Sequence, residues 1–197
     1  MKIVQIEEIF HPLAGYQPNL LSKYFSRLGH DVTIVTCEAD KITQKFTSFF
    51  DCDDIEKADF AYSQKYGVKI IRKPVYGHFN RKNFLKFGIT RYIKTLKKIK
   101  KIKPDILFIH GNEQVISMLA FLMYRYMKMP YITDSHMVAM AMEGKPRRIF
   151  YSLYRKMITP ILIKNNITNI RTQDEDFVEK YLGIPLSQCP WISVGSD

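Results

Sequence analysis

Cysteine is scarce in this sequence of 197 residues. Cys37, Cys52 and Cys189 are odd in number, far apart, and form no CxxC or Cys/His ligand pattern. Nothing therefore suggests a disulfide framework or a zinc site, and a reducing compartment is expected. Long apolar runs are missing too. The best, residues 115–124, is closed by Arg125 and falls well short of the roughly 20 residues that span a membrane. The opening Met1-Lys2-Ile3-Val4 runs straight to Glu7 and Glu8, which is not the pattern of a signal peptide. No GxGxxG or GxxxxGK follows the first apolar run and no GxSxG occurs, so dinucleotide, P-loop and serine-hydrolase readings lose their main support. What is present is a foldable composition, 46% hydrophobic with 25% charged, which excludes disorder and is enough for a real core.

Acid is missing locally. Residues 60–104 hold 14 Lys or Arg and no Asp or Glu, while the rest of the chain sets 16 bases against 19 acids. The net charge of +11 thus belongs to one basic segment on an otherwise slightly acidic chain, an asymmetry that points to an anionic partner on one face.

Apolar runs rich in β-branched residues alternate with helical stripes. Residues 3–6, 32–35, 68–71, 106–109, 131–133 and 167–171 read as strands. Residues 19–28 carry Leu20, Leu21, Tyr24, Phe25 and Leu28 at helical spacing, and Gly29 stops the helix as a C-terminal cap does. Residues 84–103, 113–127, 147–163 with a kink or stop at Pro160, and 174–182 before Gly183 read as further helices. Strands joined through helices predict a doubly wound α/β fold, a mostly parallel sheet with helices on both faces. One domain is expected over 1–190, with a variable insertion at about 38–66 holding at most a short helix and the basic segment at 60–104.

In such a sheet ligands sit at the carboxyl ends of the strands, so the loops after them carry the chemistry. After the first strand, Ala14-Gly15 stands just before a helix start, where backbone N–H groups and the helix dipole can receive a phosphate. On the residues alone an ordinary turn is the better reading. The fourth strand leads to His110-Gly111-Asn112-Glu113 and the fifth to Asp134-Ser135-His136. A catalytic triad is rejected there, because adjacent residues rarely converge with the acid holding the base. Two histidines at neighbouring strand tips are a better signal, although either alone reads first as a structural residue. The chain ends on Ser193-Val194-Gly195-Ser196-Asp197.

Taken in order, these tips resemble the amino-terminal half of a GT-B fold glycosyltransferase of the family 4 type, the retaining enzymes that transfer a sugar from a nucleotide donor. MKIVQI and HPLAGYQPNLLSKYFSRLGHDVTIVT are similar to that family's first strand, small-residue loop, first helix and second strand, with Gly29, His30, Val32, Ile34 and Thr36 in the matching places. KPDILFIHG resembles its Pro-Asp strand ending in His, with Pro104, Asp105 and His110, and PYITDSHM resembles the next, with His136. TQDEDFVEKYLGIP looks like its late helix. ISVGSD corresponds to the stretch joining the two halves, keeping Gly195 and Asp197 but not the family's Pro-Asn.

The resemblance implies a role for each tip. The loop of Ala14, Gly15 and Tyr16 approaches the donor diphosphate or the acceptor, although Ala14 stands where the family has glycine and narrows backbone freedom. His136 faces the transferred sugar as this half's catalytic contact, and His11, His110, Asn112, Glu113 and Asp134 line an acceptor cleft. Residues 191–197 begin an inter-domain linker, and the second domain, with its Glu-x7-Glu element, is absent. The chain is then the acceptor-side half of a hexosyltransferase in polysaccharide or glycolipid biosynthesis, inactive alone. No cofactor and no metal are expected. The Asp-rich patches at 51–54 and 174–176 lack a coordinating pattern and read as solvated surface.

The basic helix adds a partner. Lys94, Lys97, Lys98, Lys100, Lys101 and Lys103 crowd its last turns, and a core-facing helix has no need of them. A solvated face competes with an anionic membrane surface, and the missing acids favour the membrane, each base contributing about 1 kcal/mol near anionic lipid. Nucleic acid is the disfavoured partner, since no helix-turn-helix, RRM or KH pattern is present. The expected location is cytoplasmic and peripheral to a membrane. The alternative is a non-catalytic ligand- or membrane-binding α/β module; a nucleotide-linked oxidoreductase is a weak third.

Overall fold

The structure is a computed structural model that describes residues 1–7, 10–37, 54–73, 89–135, 145–172 and 177–192. Six strands form one sheet: β1 (Lys2–Ile6), β2 (Asp31–Cys37), β3 (Lys69–Lys73), β4 (Ile106–His110), β5 (Tyr131–Ser135) and β6 (Thr168–Arg171). Their order is β3-β2-β1-β4-β5-β6, that of a doubly wound sheet. The pairings of β1 with β2, β2 with β3 and β5 with β6 are parallel, with Ile3 opposite Val32 and Ile34 opposite Ile70. Between the strands lie α1 (Gln17–Arg27), α2 (Ile55–Tyr66), α3 (Ile89–Ile102), α4 (Val115–Leu122), α5 (Tyr124–Met127), α6 (Lys145–Met157) and α7 (Thr159–Lys164), followed by a π-helical turn at Val178–Leu182. This is the α/β fold that the strand and helix alternation predicts.

The burial pattern explains the sequence pattern. In β1, β2 and β4 every residue after the first is buried, polar Gln5, Thr33 and Thr36 included. Both faces are covered, which is why these strands read as continuous apolar runs and not as alternating ones. Edge strand β3, Lys-Ile-Ile-Arg-Lys, is charged and only half-buried, as exposed edges are. Beyond β6, Arg171 donates its N–H to the Pro190 carbonyl at 3.0 Å and accepts from the Ile192 N–H at 3.0 Å, so this edge is partly paired.

The described residues divide into two compact units, within Met1–Phe108 and within Ile109–Val194. In the first, Phe10, Val32, Ile34, Tyr62 and Val68 form a buried cluster, with Phe25, Tyr66 and Ile70 against it. Phe10 meets Tyr62 edge-on at 5.6 Å between ring centres. The Tyr62 hydroxyl lies 2.7 Å from both the Asn19 carbonyl and Ser22 Oγ, and burial pushes its pKa up to about 12. The second unit centres on aromatic packing, with Tyr151 edge-on to Phe177 at 6.2 Å and Phe177 stacked on Tyr181 at 5.2 Å.

Several local expectations change in detail. Residues 55–66, read as insertion, form the whole of α2, capped by the Asp54 carboxylate, which accepts from the Glu56 and Lys57 N–H groups at 3.1 Å each. Those bonds, with Lys57 beside the group, hold the Asp54 carboxyl below the usual carboxylate range. The helix expected at 113–127 is broken at Met123 into α4 and α5. The helix expected at 147–163 is broken into α6 and α7 at Ile158, because Pro160 has no N–H with which to continue the ladder. Gly29 adopts φ +82° after α1 as the cap reading requires. No described helix is long and apolar enough to cross a membrane.

Candidate functional site

The sheet order reverses between β1 and β4, and in doubly wound sheets the loops after the strands at the reversal carry the ligand. Each loop has its own geometry.

The loop after β1 is clamped from three sides. The Phe10 N–H donates to Thr36 Oγ1 at 3.1 Å and its carbonyl accepts from an Arg72 η-nitrogen at 3.2 Å. Asn19 donates from Nδ2 to the carbonyls of His11 at 2.9 Å and Pro12 at 3.3 Å. His11 Nδ1 accepts from the Leu13 N–H at 3.2 Å, and the Ala14 N–H closes a turn onto the His11 carbonyl at 3.1 Å. Arg72, reaching across from β3, also donates to the Cys37 carbonyl at 3.1 Å and forks onto Asp59 of α2 at 2.5 and 2.8 Å. That ion pair is largely shielded from water, which makes the fork a geometric lock.

The clamp delivers Gly15 at φ +55°, with nothing within 4 Å of where a Cβ would stand. The left-handed turn, not a shortage of space, is what requires glycine there. Ala14 is half-buried, while Gly15 and Tyr16 are exposed immediately before α1. Tyr16 is the N-cap, its side chain does not cap the helix, Pro18 follows, and the first turn carries no acid. No acid of the helix's own first turn offsets its positive end. His11 is 3% exposed, braces the loop from inside, and has its pKa lowered, first by burial and then by Arg72.

The tips of β4, β5 and β6 are built differently. His110 Nδ1 lies 2.6 Å from Asp134 Oδ2, and the Gly111 N–H donates to Asp134 Oδ1 at 3.0 Å, with both side chains wholly buried. Asn112, also wholly buried, bonds the Thr133 hydroxyl and donates to Asn169 Oδ1 at 2.6 Å; Asn169 in turn points Nδ2 at Cys189 Sγ, 3.6 Å away. Burial pushes the Cys189 thiol up, which disfavours the thiolate. Glu113 is half-buried, with Oε1 3.4 Å from Ser135 Oγ. Asp134 does hold a histidine, but from a neighbouring strand and inside the protein. His110, Asn112 and Asp134 therefore shape this tip from within, and its half-buried groups are Gly111 and Glu113.

His136, and the terminal Gly195 and Asp197, lie outside the described residues. In α3 the lysines do not ring the axis: Tyr92, Thr95, Leu96 and Ile99 bury one face, Lys94, Lys97, Lys98 and Lys101 are exposed, Lys100 is half-buried, and Lys103 follows exposed at φ +53°. Lys2 Nζ donates to the Ile102 carbonyl at 3.0 Å and satisfies the helix end. Among the described residues no group of three His, Cys, Asp or Glu side chains is placed to hold a metal ion. Arg72, Asp59, Asn19, Thr133 and Asn169 were not singled out from the sequence. The available signal was a polar residue inside a buried run, which must find partners.

No protein-family model matches the sequence, and no curated protein does. Solved structures do match in fold, and GT-B glycosyltransferases are among them. Sucrose-phosphate synthase from Thermosynechococcus elongatus is 13% identical at a TM-score of 0.61, covering 100% of this chain and 48% of its own. Anabaena Alr3699/HepE in complex with UDP is 11% identical at 0.54, covering 100% and 45%. An Enterococcus faecalis protein assigned as a 2-keto-3-deoxygluconate kinase is 9% identical at 0.51, covering 93% and 61%. At these identities the likeness is one of fold, and the chain spans about half the length of the two sugar-related structures.

Proposed function

We propose that this chain is the acceptor-side half of a retaining, family 4 type glycosyltransferase. It would serve transfer of a hexosyl group from a nucleotide sugar to a glycan or lipid-linked acceptor, on the cytoplasmic side of a membrane to which it binds peripherally. One observation carries the reading: the β1 loop, locked by Arg72 and Asn19, presents Gly15 in a left-handed turn at the uncapped start of an 11-residue helix. Donors of that kind are fixed before the reaction, and fixed N–H groups aimed at negative charge stabilise a departing diphosphate without reorganisation. The fold likeness to a UDP complex supports the same class of ligand. In this reading His136 contacts the sugar, Gly111 and Glu113 meet the acceptor, the α3 lysines face anionic lipid, and no metal takes part.

A non-catalytic binding module is the second reading, favoured by the β4–β6 tips, whose polar side chains are spent on one another. The two separate by assay. The purified 197 residues alone are expected to turn over no nucleotide sugar, whereas the chain joined to a GT-B second domain from the same gene transfers sugar to membrane extract. Turnover by the isolated chain contradicts the half-enzyme reading, and no transfer by the joined protein contradicts the glycosyltransferase reading.

A further inference from the structure

Residues 60–104 are not the only acid-free stretch. Residues 144–173 hold seven bases and no Asp or Glu, and α6 lies within them. Its inner face buries Tyr151 and Tyr154, with Ile158 just beyond. Its outer face is the unusual one: Ile149, Leu153 and Met157, at i, i+4 and i+8, are 63%, 52% and 54% exposed. The adjoining row, Arg148, Ser152 and Lys156, is basic at both ends. In α3 the apolar positions are buried instead, and only Ile89 among its large apolar side chains is exposed.

We propose that α6 docks in the plane of an anionic bilayer, inserting Ile149, Leu153 and Met157 while Arg148 and Lys156 reach the headgroups. The inference rests on the membrane part of the proposed function and not on sugar transfer. An interfacial helix needs an apolar stripe beside a basic one, and lysine stems lie along the apolar zone with their charge at the surface. Charge selects this occupant over a second copy: a two-fold contact through the same face brings Arg148 and Lys156 against their equivalents with no acid in the segment to meet them. The α3 lysines then supply attraction to the membrane but no insertion.

The test is co-sedimentation of the 197-residue chain with phosphatidylcholine vesicles, with and without phosphatidylglycerol. Binding is expected only with the anionic lipid. The triple variant Ile149→Ser, Leu153→Ser, Met157→Ser should lose about tenfold or more in partitioning with an unchanged melting temperature. Lys97→Gln, Lys98→Gln, Lys101→Gln should lose less. A second readout is Leu153→Trp in a Trp191→Phe background, whose emission should shift to the blue on vesicle binding. No binding by the parent chain overturns both this inference and the membrane reading. Undiminished binding by the triple serine variant, or an unshifted tryptophan on bound vesicles, overturns the α6 inference alone. A dimer in solution that the serine variant dissolves, with no vesicle binding, makes a second copy the occupant and overturns it as well.

Discussion

The loop after β1 and the tips of β4–β6 differ in what their polar groups leave at the surface. Around β1, side chains from elsewhere (Arg72, Asn19, Thr36) hold backbone carbonyls and N–H groups, and the product is an exposed turn at Gly15 and Tyr16. At β4–β6 side chains hold backbone too, Ser117 and Thr172 donating to the Gly111 and Ser135 carbonyls and Asp134 accepting from the Gly111 N–H, but Asp134 also takes His110, and Asn112 takes Thr133 and Asn169, all of them buried. The first arrangement leaves a rigid backbone feature able to meet a ligand. The second makes a rigid interior. Histidines and an aspartate at strand ends are thus a poor guide to a ligand-facing surface when burial satisfies them.

The largest effect should follow from breaking the interior. Asp134→Ala leaves His110 Nδ1 and the Gly111 N–H without their acceptor in a dry site, a loss of about 3 kcal/mol or more on thermal unfolding. Asp134→Asn, which keeps an oxygen for Gly111, should recover part of it. Next comes the clamp. Arg72→Met strips Asp59 of its partner and frees the Phe10 carbonyl, costing about 2 kcal/mol and speeding amide exchange at residues 10–14 while leaving exchange at 110–112 unchanged. Equal loosening of both regions would erase the contrast between them.

Gly15→Ala probes the turn alone. No atom lies within 4 Å of the added Cβ, so only the left-handed conformation opposes it, about 1 kcal/mol. Stability should fall by no more than that while nucleotide binding weakens; an undiminished affinity separates the turn from function. The smallest effect is the pH response of His11. Its pKa is lowered in the folded protein by burial and by Arg72, so the unfolded chain takes the proton more readily. The stabilisation is fully present above the ordinary value of about 6.5 and is lost as pH falls from there through the folded value. His11→Gln should flatten that part of the melting profile.

Much of the fold was legible because it rests on repetition along the chain. The buried strands announce themselves as runs such as Ile106–His110, and the helix ends and breaks as Gly29 and Pro160. The bounds of α2 are hard to see in the sequence because it has few buried residues and a weak stripe, with Tyr62 buried and Phe60 exposed, so that packing and the Asp54 cap rather than periodicity define it. In the candidate site, the exposed Gly15 turn was legible from small residues before a helix. The Arg72–Asp59 fork and the Asn112–Asn169 bond were not, since each joins residues far apart in sequence and local patterns carry no trace of pairing. The basic charge of α3 is plain in the sequence as a run of lysines without acids. The second acid-free stretch, around α6, is less conspicuous because its bases are diluted by aromatic and aliphatic residues.

The reading that the β1 loop, and not the β4–β6 tips, receives the charged part of a nucleotide sugar is tested most directly by amide NMR. The 197-residue chain, labelled with ¹⁵N, is titrated with UDP and UDP-sugars. Shift changes should concentrate on the amides of Ala14, Gly15, Tyr16 and Gln17 and leave the buried His110 and Asn112 signals in place. Perturbation centred on 110–112 with the loop unmoved, or none with any nucleotide, would contradict it.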